Sequence, residues 1–131
     1  MPGLSNAVEN KILDHLMGGP AYSPASPLAL AITSVAVTES DTASTITKIS
    51  YTGYADHTLP YSEWAAASGG GKATNTVIDF PQNTGATSPT AVGFAILNGA
   101  DVVLYGTVPT TVISPNITPE FASGALSITA D

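Results

Sequence analysis

The sequence predicts a mainly β fold: an antiparallel β-sandwich or barrel-like fold of about seven to eight short strands, with one N-terminal α-helix. Three observations carry that expectation. From Leu28 onward, apolar residues alternate with small or polar ones over short runs. Gly, Pro, Asn and Asp punctuate those runs at close intervals. Only one segment, Ser5 to Met17, has the periodicity of a helix.

In that segment Val8, Ile12 and Leu16 recur at four-residue steps, with Leu13 and Met17 beside them, while Asn10, Lys11, Asp14 and His15 face away. Ser5 or Asn6 can cap the start, Asn6 and Glu9 resemble a capping box, and Gly18-Gly19-Pro20 supplies the stop. A helix this short is marginal alone in water, so its stripe is expected to pack on a β-sheet core or on a neighbouring subunit. On that reading, Ile12→Asp costs about 3 kcal/mol or more.

Ala21 to Pro27 is a proline-punctuated connector. Leu28, Leu30 and Ile32 alternate with Ala29, Ala31 and Thr33 as a strand, and Val35 and Val37 continue it in the opposite register, with a bend near Ser34. Glu39 to Ser44 is a polar loop. Thr45 to Leu59 returns to β-branched and aromatic residues, as one bent strand or two short ones, interrupted at Gly53. Pro60 to Ala67 reads as a helical turn or an irregular edge that covers the sheet with Trp64, and Ser68 to Gly71 breaks the chain. Thr76, Ile78 and Phe80 share one strand face, and Gln82 to Pro89 is loop.

Thr90 to Leu97 and Val102 to Val108 form the clearest hairpin, turned by Asn98-Gly99-Ala100-Asp101 with Asn-Gly favouring the turn. Val92, Phe94, Ile96, Val102 and Leu104 are expected to face one core. Pro109 to Pro119 carries little regular signal, and Ala125 to Ala130 supplies a last strand. The 131 residues fit one domain, with an N-terminal arm and helix over 1–20 and the sandwich over 27–131.

Composition narrows function. The formal charge of -7, with three lysines and no arginine, repels phosphate backbones and anionic bilayers, so neither a nucleic acid nor a membrane is an expected partner. Zero cysteines exclude a disulfide framework and thiol chemistry. No apolar run reaches a membrane span and no signal core opens the chain, so a soluble product made inside the cell is expected. Only 10% of residues are charged against 44% hydrophobic, a composition suited to lying against other proteins.

Motifs for chemistry are weak. Ser68-Gly-Gly-Gly-Lys72 lacks the glycine and hydroxyl of a phosphate loop, since Ala66 and Ala73 stand there, and reads as a surface loop. Asp56 and His57 are strand neighbours that point apart. His15 and His57 have no metal-ligand spacing, and Glu39 and Asp41 lack the pattern of a calcium loop. Asn116-Ile117-Thr118 matches a glycosylation acceptor in form alone. No catalytic, cofactor-binding or metal-binding residue is assigned, no cofactor is expected, and no nucleophile elbow supports an enzyme. Tyr22, Tyr51, Tyr54, Tyr61, Trp64 and Tyr105 pack the sheet or, less simply, form an aromatic surface.

Leu4 to Tyr22, the strand LALAIT, SYTGYA at 50–55 and the ending FASGALSITAD resemble a family of small tailed-bacteriophage virion structural proteins, labelled as capsid decoration or tail-fibre proteins. The resemblance spans nearly the whole chain. It is most specific at the Gly-Gly helix stop, at Gly53-Tyr54-Ala55 and at Phe121-Ala122 with Gly124-Ala125-Leu126. It departs at Asp56, where the family often has a basic residue.

The resemblance implies a β-rich structural module with no catalytic residues. The leading expectation is a capsid decoration or cement protein on the outer surface of the head, stabilising the lattice by binding it. Its partners would be the major capsid protein and copies of itself, in a symmetric homo-oligomer such as a trimer. The alternative is a tail-fibre or tail-tip component that binds a host surface glycan. A small hydrolase using Asp56, His57 and Glu63 is a third class. Candidate interface residues are Leu4, Val8, Ile12, Leu16, Tyr22 and Trp64.

Overall fold

The structure, a computed structural model, describes residues 3–24 and 27–129. Ala25 and Ser26 of the expected connector, and Ala130 of the expected last strand, lie outside the described residues. The chain is mainly β, with antiparallel pairing throughout and one helix near the N-terminus. Its elements are β1 (Gly3–Leu4), α1 (Asn6–Leu16), β2 (Leu28–Thr33), β3 (His57–Leu59), β4 (Gly71–Ala73), β5 (Ile78–Asp79), β6 (Thr90–Asn98), β7 (Asp101–Val112), β8 (Glu120–Phe121) and β9 (Ser127–Thr129). A five-stranded sheet has the order β1-β7-β6-β2-β3, and two ribbons pair β4 with β9 and β5 with β8.

The β6–β7 hairpin is the spine, because its Val, Ile, Phe, Tyr and Thr content suits a pleated, half-buried surface. Asn98 pairs with Asp101, so Gly99 and Ala100 are the two turn residues, with the glycine first as a II′ turn requires, rather than Asn-Gly. Two irregularities reset the faces. Ile96 pairs with Leu104 but Leu97 with Val102, which leaves Val103 as an extra residue. Leu104 and Val103 therefore join Phe94 and Ile96, whereas Val102 is turned to the opposite face with Leu97. Ala91 pairs with Thr111 and Gly93 with Thr107, so a second bulge accommodates Pro109 inside β7. Ala91 thereby reaches the core while Val92 stays half-buried. The expectation that Val92 and Val102 share the Phe94 face is corrected by these bulges, as is the reading of 109–112 as irregular.

Leu30, Ile32, Phe94, Ile96 and Leu104 on the first face pack against Ile78, Phe80, Trp64 and Leu126 from the ribbons and their loops. This makes a sandwich-like pair of layers. The second face buries Ala31, Ala95, Leu97 and Val102 under Val37, Ala43 and Ile46. These last three come from the segment where continued strands were expected, but 34–56 forms no strand. It touches the sheet through two isolated bridges, Thr33 with Lys48 and Thr42 with Asp101, and through backbone hydrogen bonds such as the Ile49 N–H to the Ile32 carbonyl. Ile49 and Tyr51 are buried without a strand, by core packing together with the Ile49 N–H bond to Ile32 and the Tyr51 hydroxyl donating to the Pro81 carbonyl at 2.7 Å.

Helix α1 starts at Ser5, whose hydroxyl accepts from the Val8 N–H at 3.4 Å and donates to the Val102 carbonyl. Ser5, not Asn6, is the cap, so Glu9 falls outside the capping-box position. At the other end Gly19 N–H bonds the Asp14 carbonyl at 2.7 Å and Gly18 N–H the His15 carbonyl at 3.2 Å, the two bonds of a Schellman stop. The Asn6 N–H donates to the Glu39 carbonyl and Lys11 pairs with Asp101, fixing α1 at the β7 edge.

Candidate functional site

Helix α1 has two apolar lines rather than one. Val8 is fully buried and Ile12 half-buried, but Leu13, Leu16 and Met17 are 57%, 65% and 81% exposed. A capped and anchored helix thus carries a ridge of three large apolar side chains in water, with Glu9 one turn before Leu13 on the same side. The signal was present in the sequence, since an arc running from Val8 to Met17 is wider than one packing contact needs.

The six candidate interface residues do not gather into one patch. Leu4 pairs with Leu104 and packs against the first-face core, and Trp64 is only 8% exposed within it. Val8 lies in the chain's own interior. Tyr22 is half-buried, with its hydroxyl accepting from the Asn98 amide at 3.5 Å. Of the six, Leu16 alone stands open, joined by Leu13 and Met17.

A second feature was not visible in the sequence. An apolar cavity of about 290 Å³ opens between the sheet and the β4–β9 ribbon, walled by Leu28, Leu59, Trp64, Ile96, Leu104 and Ile128. At its mouth the Lys72 ammonium lies 4.4 Å from the centre of the Tyr61 ring and donates to the Ala65 carbonyl at 2.8 Å. Lys11 and Lys48 are neutralised by Asp101 and Asp56, whereas Lys72 has no carboxylate partner among the described residues. The surface-loop reading of 68–72 is corrected, since Gly71 and Lys72 are drawn into β4 by pairing with β9, and this strand lysine borders an apolar opening.

The aromatic residues point inward. Tyr51 and Tyr54 meet edge to face with ring centres 5.3 Å apart, Tyr54 stacks on Phe80, and Phe121 bridges Phe80 and Phe94. The Tyr54 hydroxyl accepts from the Ile32 N–H at 3.1 Å and donates to Asp56 at 2.8 Å. Burial pushes the Tyr54 and Tyr51 phenols up from their ordinary range. Tyr61, at 67% exposure, is the open ring of this group.

Of the residues of the hydrolase reading, His57 and Glu63 meet and Asp56 stands apart. Asp56 faces Lys48 and Tyr54. His57 faces Glu63 at 2.8 Å through Nε2 and the Asp79 carbonyl at 3.0 Å through Nδ1, so both ring nitrogens pin β3 to the turn at Tyr61–Glu63 and to β5. Neither nitrogen is directed at a hydroxyl. Asp41 binds within its own loop, and its carboxyl is held below the usual range by the Thr38 N–H first and the Thr45 hydroxyl second. Among the described residues, no group of three or more His, Asp or Glu is placed to hold a metal ion, and no helix is long and apolar enough to cross a membrane.

A helix-led β module with an open apolar ridge, and with its polar side chains spent on internal pins, is the build of a structural subunit. The family described as podophage GP4 fiber I protein gp80 matches residues 3–129, and the chain belongs to that family of phage virion structural proteins. No curated protein matches the chain. Two stretches that carry the resemblance have structural reasons. Gly53 and Gly124, at φ 96 and 79, are the third residues of turns closed by Tyr54 N–H to Tyr51 carbonyl and Ala125 N–H to Ala122 carbonyl. Only glycine enters that type II position without strain.

Proposed function

We propose that this chain is a non-catalytic building block of the phage fibre, held in the virion exterior by apolar protein–protein contact. The observation that carries the reading is the ridge of Leu13, Leu16 and Met17 on a helix that is itself firmly anchored. The family description supports a fibre. A net charge of -7 suits a position outside a DNA-filled shell, because like charge repels it from the interior.

A second reading is the head decoration or cement role, in which the protein binds the mature lattice and stabilises it by mass action. The inward-facing aromatics favour it over receptor binding, since they leave little ring surface on which a sugar would stack. Immunogold labelling of intact virions with an antibody to this chain separates the two. Gold on fibres supports the first, gold spread over heads supports the second, and absence of the chain from purified particles overturns both.

A further inference from the structure

The ridge and the cavity match each other in size, polarity and charge, yet they share no residue. The ridge side chains are solvent-exposed and none lines the cavity, so their meeting requires two copies. We propose that one copy of this chain docks the Leu13, Leu16 and Met17 ridge into the apolar cavity beneath Trp64 of the next copy, with Glu9 of the first against Lys72 of the second.

Volume fits the pairing. An apolar cavity of roughly 150 Å³ takes up one benzene, and this one, at about 290 Å³, has room for two side chains of leucine or methionine size, so Leu16 and Met17 enter it and Leu13 packs on its rim. Charge fits as well. Lys72 is held at the mouth by the Tyr61 ring and a carbonyl, without a carboxylate among the described residues, and Glu9 lies on the exposed side of α1 one turn from Leu13. A charge pair at the rim of a buried apolar plug sets the register of a contact.

The contact joins two different patches, so it is heterologous and propagates: each copy offers a free cavity at one end and a free ridge at the other. Such contacts close into rings or run on as filaments. The self-association rests on the proposal that the ridge is an assembly surface. It is tested on purified protein, so its failure is separable from a wrong assignment of virion position.

Sedimentation velocity of the full chain over a concentration series is the first measurement, with wild type expected to form species larger than a monomer. Leu16→Lys disables the ridge and Lys72→Glu disables the mouth, and each is expected to weaken self-association by about tenfold or more. Melting temperatures near that of wild type establish that both variants fold, and Met17→Lys replaces Leu16→Lys if it does not. The decisive sample is the mixture: each variant alone stays monomeric, and the two together form a dimer that grows no further. Adding Glu9→Lys to Lys72→Glu restores assembly.

Monomeric wild type at every concentration, unchanged assembly of the single variants, or a mixture that stays monomeric overturns the proposal. So does retention of octanoate in the cavity by a protein that never self-associates, which would assign the cavity to a small amphiphile.

Discussion

The side-chain amide of Asn83 donates to the Ile113 carbonyl at 2.9 Å, in the interior and thirty residues away along the chain. The same amide donates to the Thr87 carbonyl at 2.8 Å, and its oxygen accepts from the Gly85 N–H at 3.0 Å. Three of its four hydrogen-bonding positions are thus filled with the residue fully buried, and it ties the 82–89 loop to the end of β7. Asn83→Ala strands the buried Ile113 carbonyl together with the partly buried Thr87 carbonyl and Gly85 N–H, and is expected to cost about 2–4 kcal/mol. Asn83→Asp, which turns a donor into an acceptor facing two carbonyls, is expected to cost at least as much. Urea midpoints measure this directly, and a loss below about 0.5 kcal/mol for Asn83→Ala would show the hub to be dispensable.

Helix α1 should respond to polar substitution according to depth. Val8→Gln buries an amide where nothing meets it and is expected to cost about 3 kcal/mol. Ile12→Gln, at a half-buried site, is expected to cost about 1–2 kcal/mol, and Leu16→Gln less than about 0.5 kcal/mol. The sequence-based figure for Ile12→Asp supposes a fully buried stripe, whereas the buried line of the helix runs through Val8 and leaves Ile12 half-buried. Denaturant unfolding of the monomeric protein provides the ranking. Equal losses at Val8 and Leu16 would mean that the ridge is covered within its own chain.

Alkaline pH should loosen the fold through Tyr54. Burial raises its ionisation above the ordinary phenol value, the Asp56 hydrogen bond acts in the same direction, and the Ile32 N–H opposes both. The sign follows from linkage. The raised value means that stability is full below the unfolded phenol's ionisation near about pH 10, and is lost as pH climbs from there toward the folded value. Tyr51 adds to the same slope. Tyr54→Phe is expected to cost roughly 1–3 kcal/mol at neutral pH, from an unpaired Ile32 N–H. It should also flatten the decline above about pH 10. Stability measured at both pH values checks this, and an undiminished alkaline loss in the variant would assign the slope elsewhere.

Local pattern was enough to read much of the fold. The 28–33 strand, the 90–98 and 101–108 hairpin and the capped helix with its Gly-Gly stop are set by alternation, β-branched content and glycine placement, which act over a few residues. Two-residue strands such as β1 and β8 are too short to alternate, and they form only because β7 and β5 offer them partners. The bulge at Val103 likewise has no local signature: two consecutive valines read as ordinary strand until Leu97 and Ile96 choose their partners.

The candidate site was legible only in part. Leu16 was visible as part of an apolar stripe, but which line of the helix faces the sheet depends on the Ser5 cap reaching Val102 and on Lys11 reaching Asp101. The cavity behind Lys72 was invisible, because its wall is assembled from six separate stretches of chain.

By itself the sequence determined that this is an acidic, cysteine-free β protein with one short helix, because composition and periodicity are properties of neighbours along the chain. Only the tertiary structure decided that the helix turns Leu13, Leu16 and Met17 to water, and that a lysine with no carboxylate partner among the described residues borders an apolar opening. Burial and charge pairing are settled by residues distant in sequence, whose mutual approach no local pattern encodes.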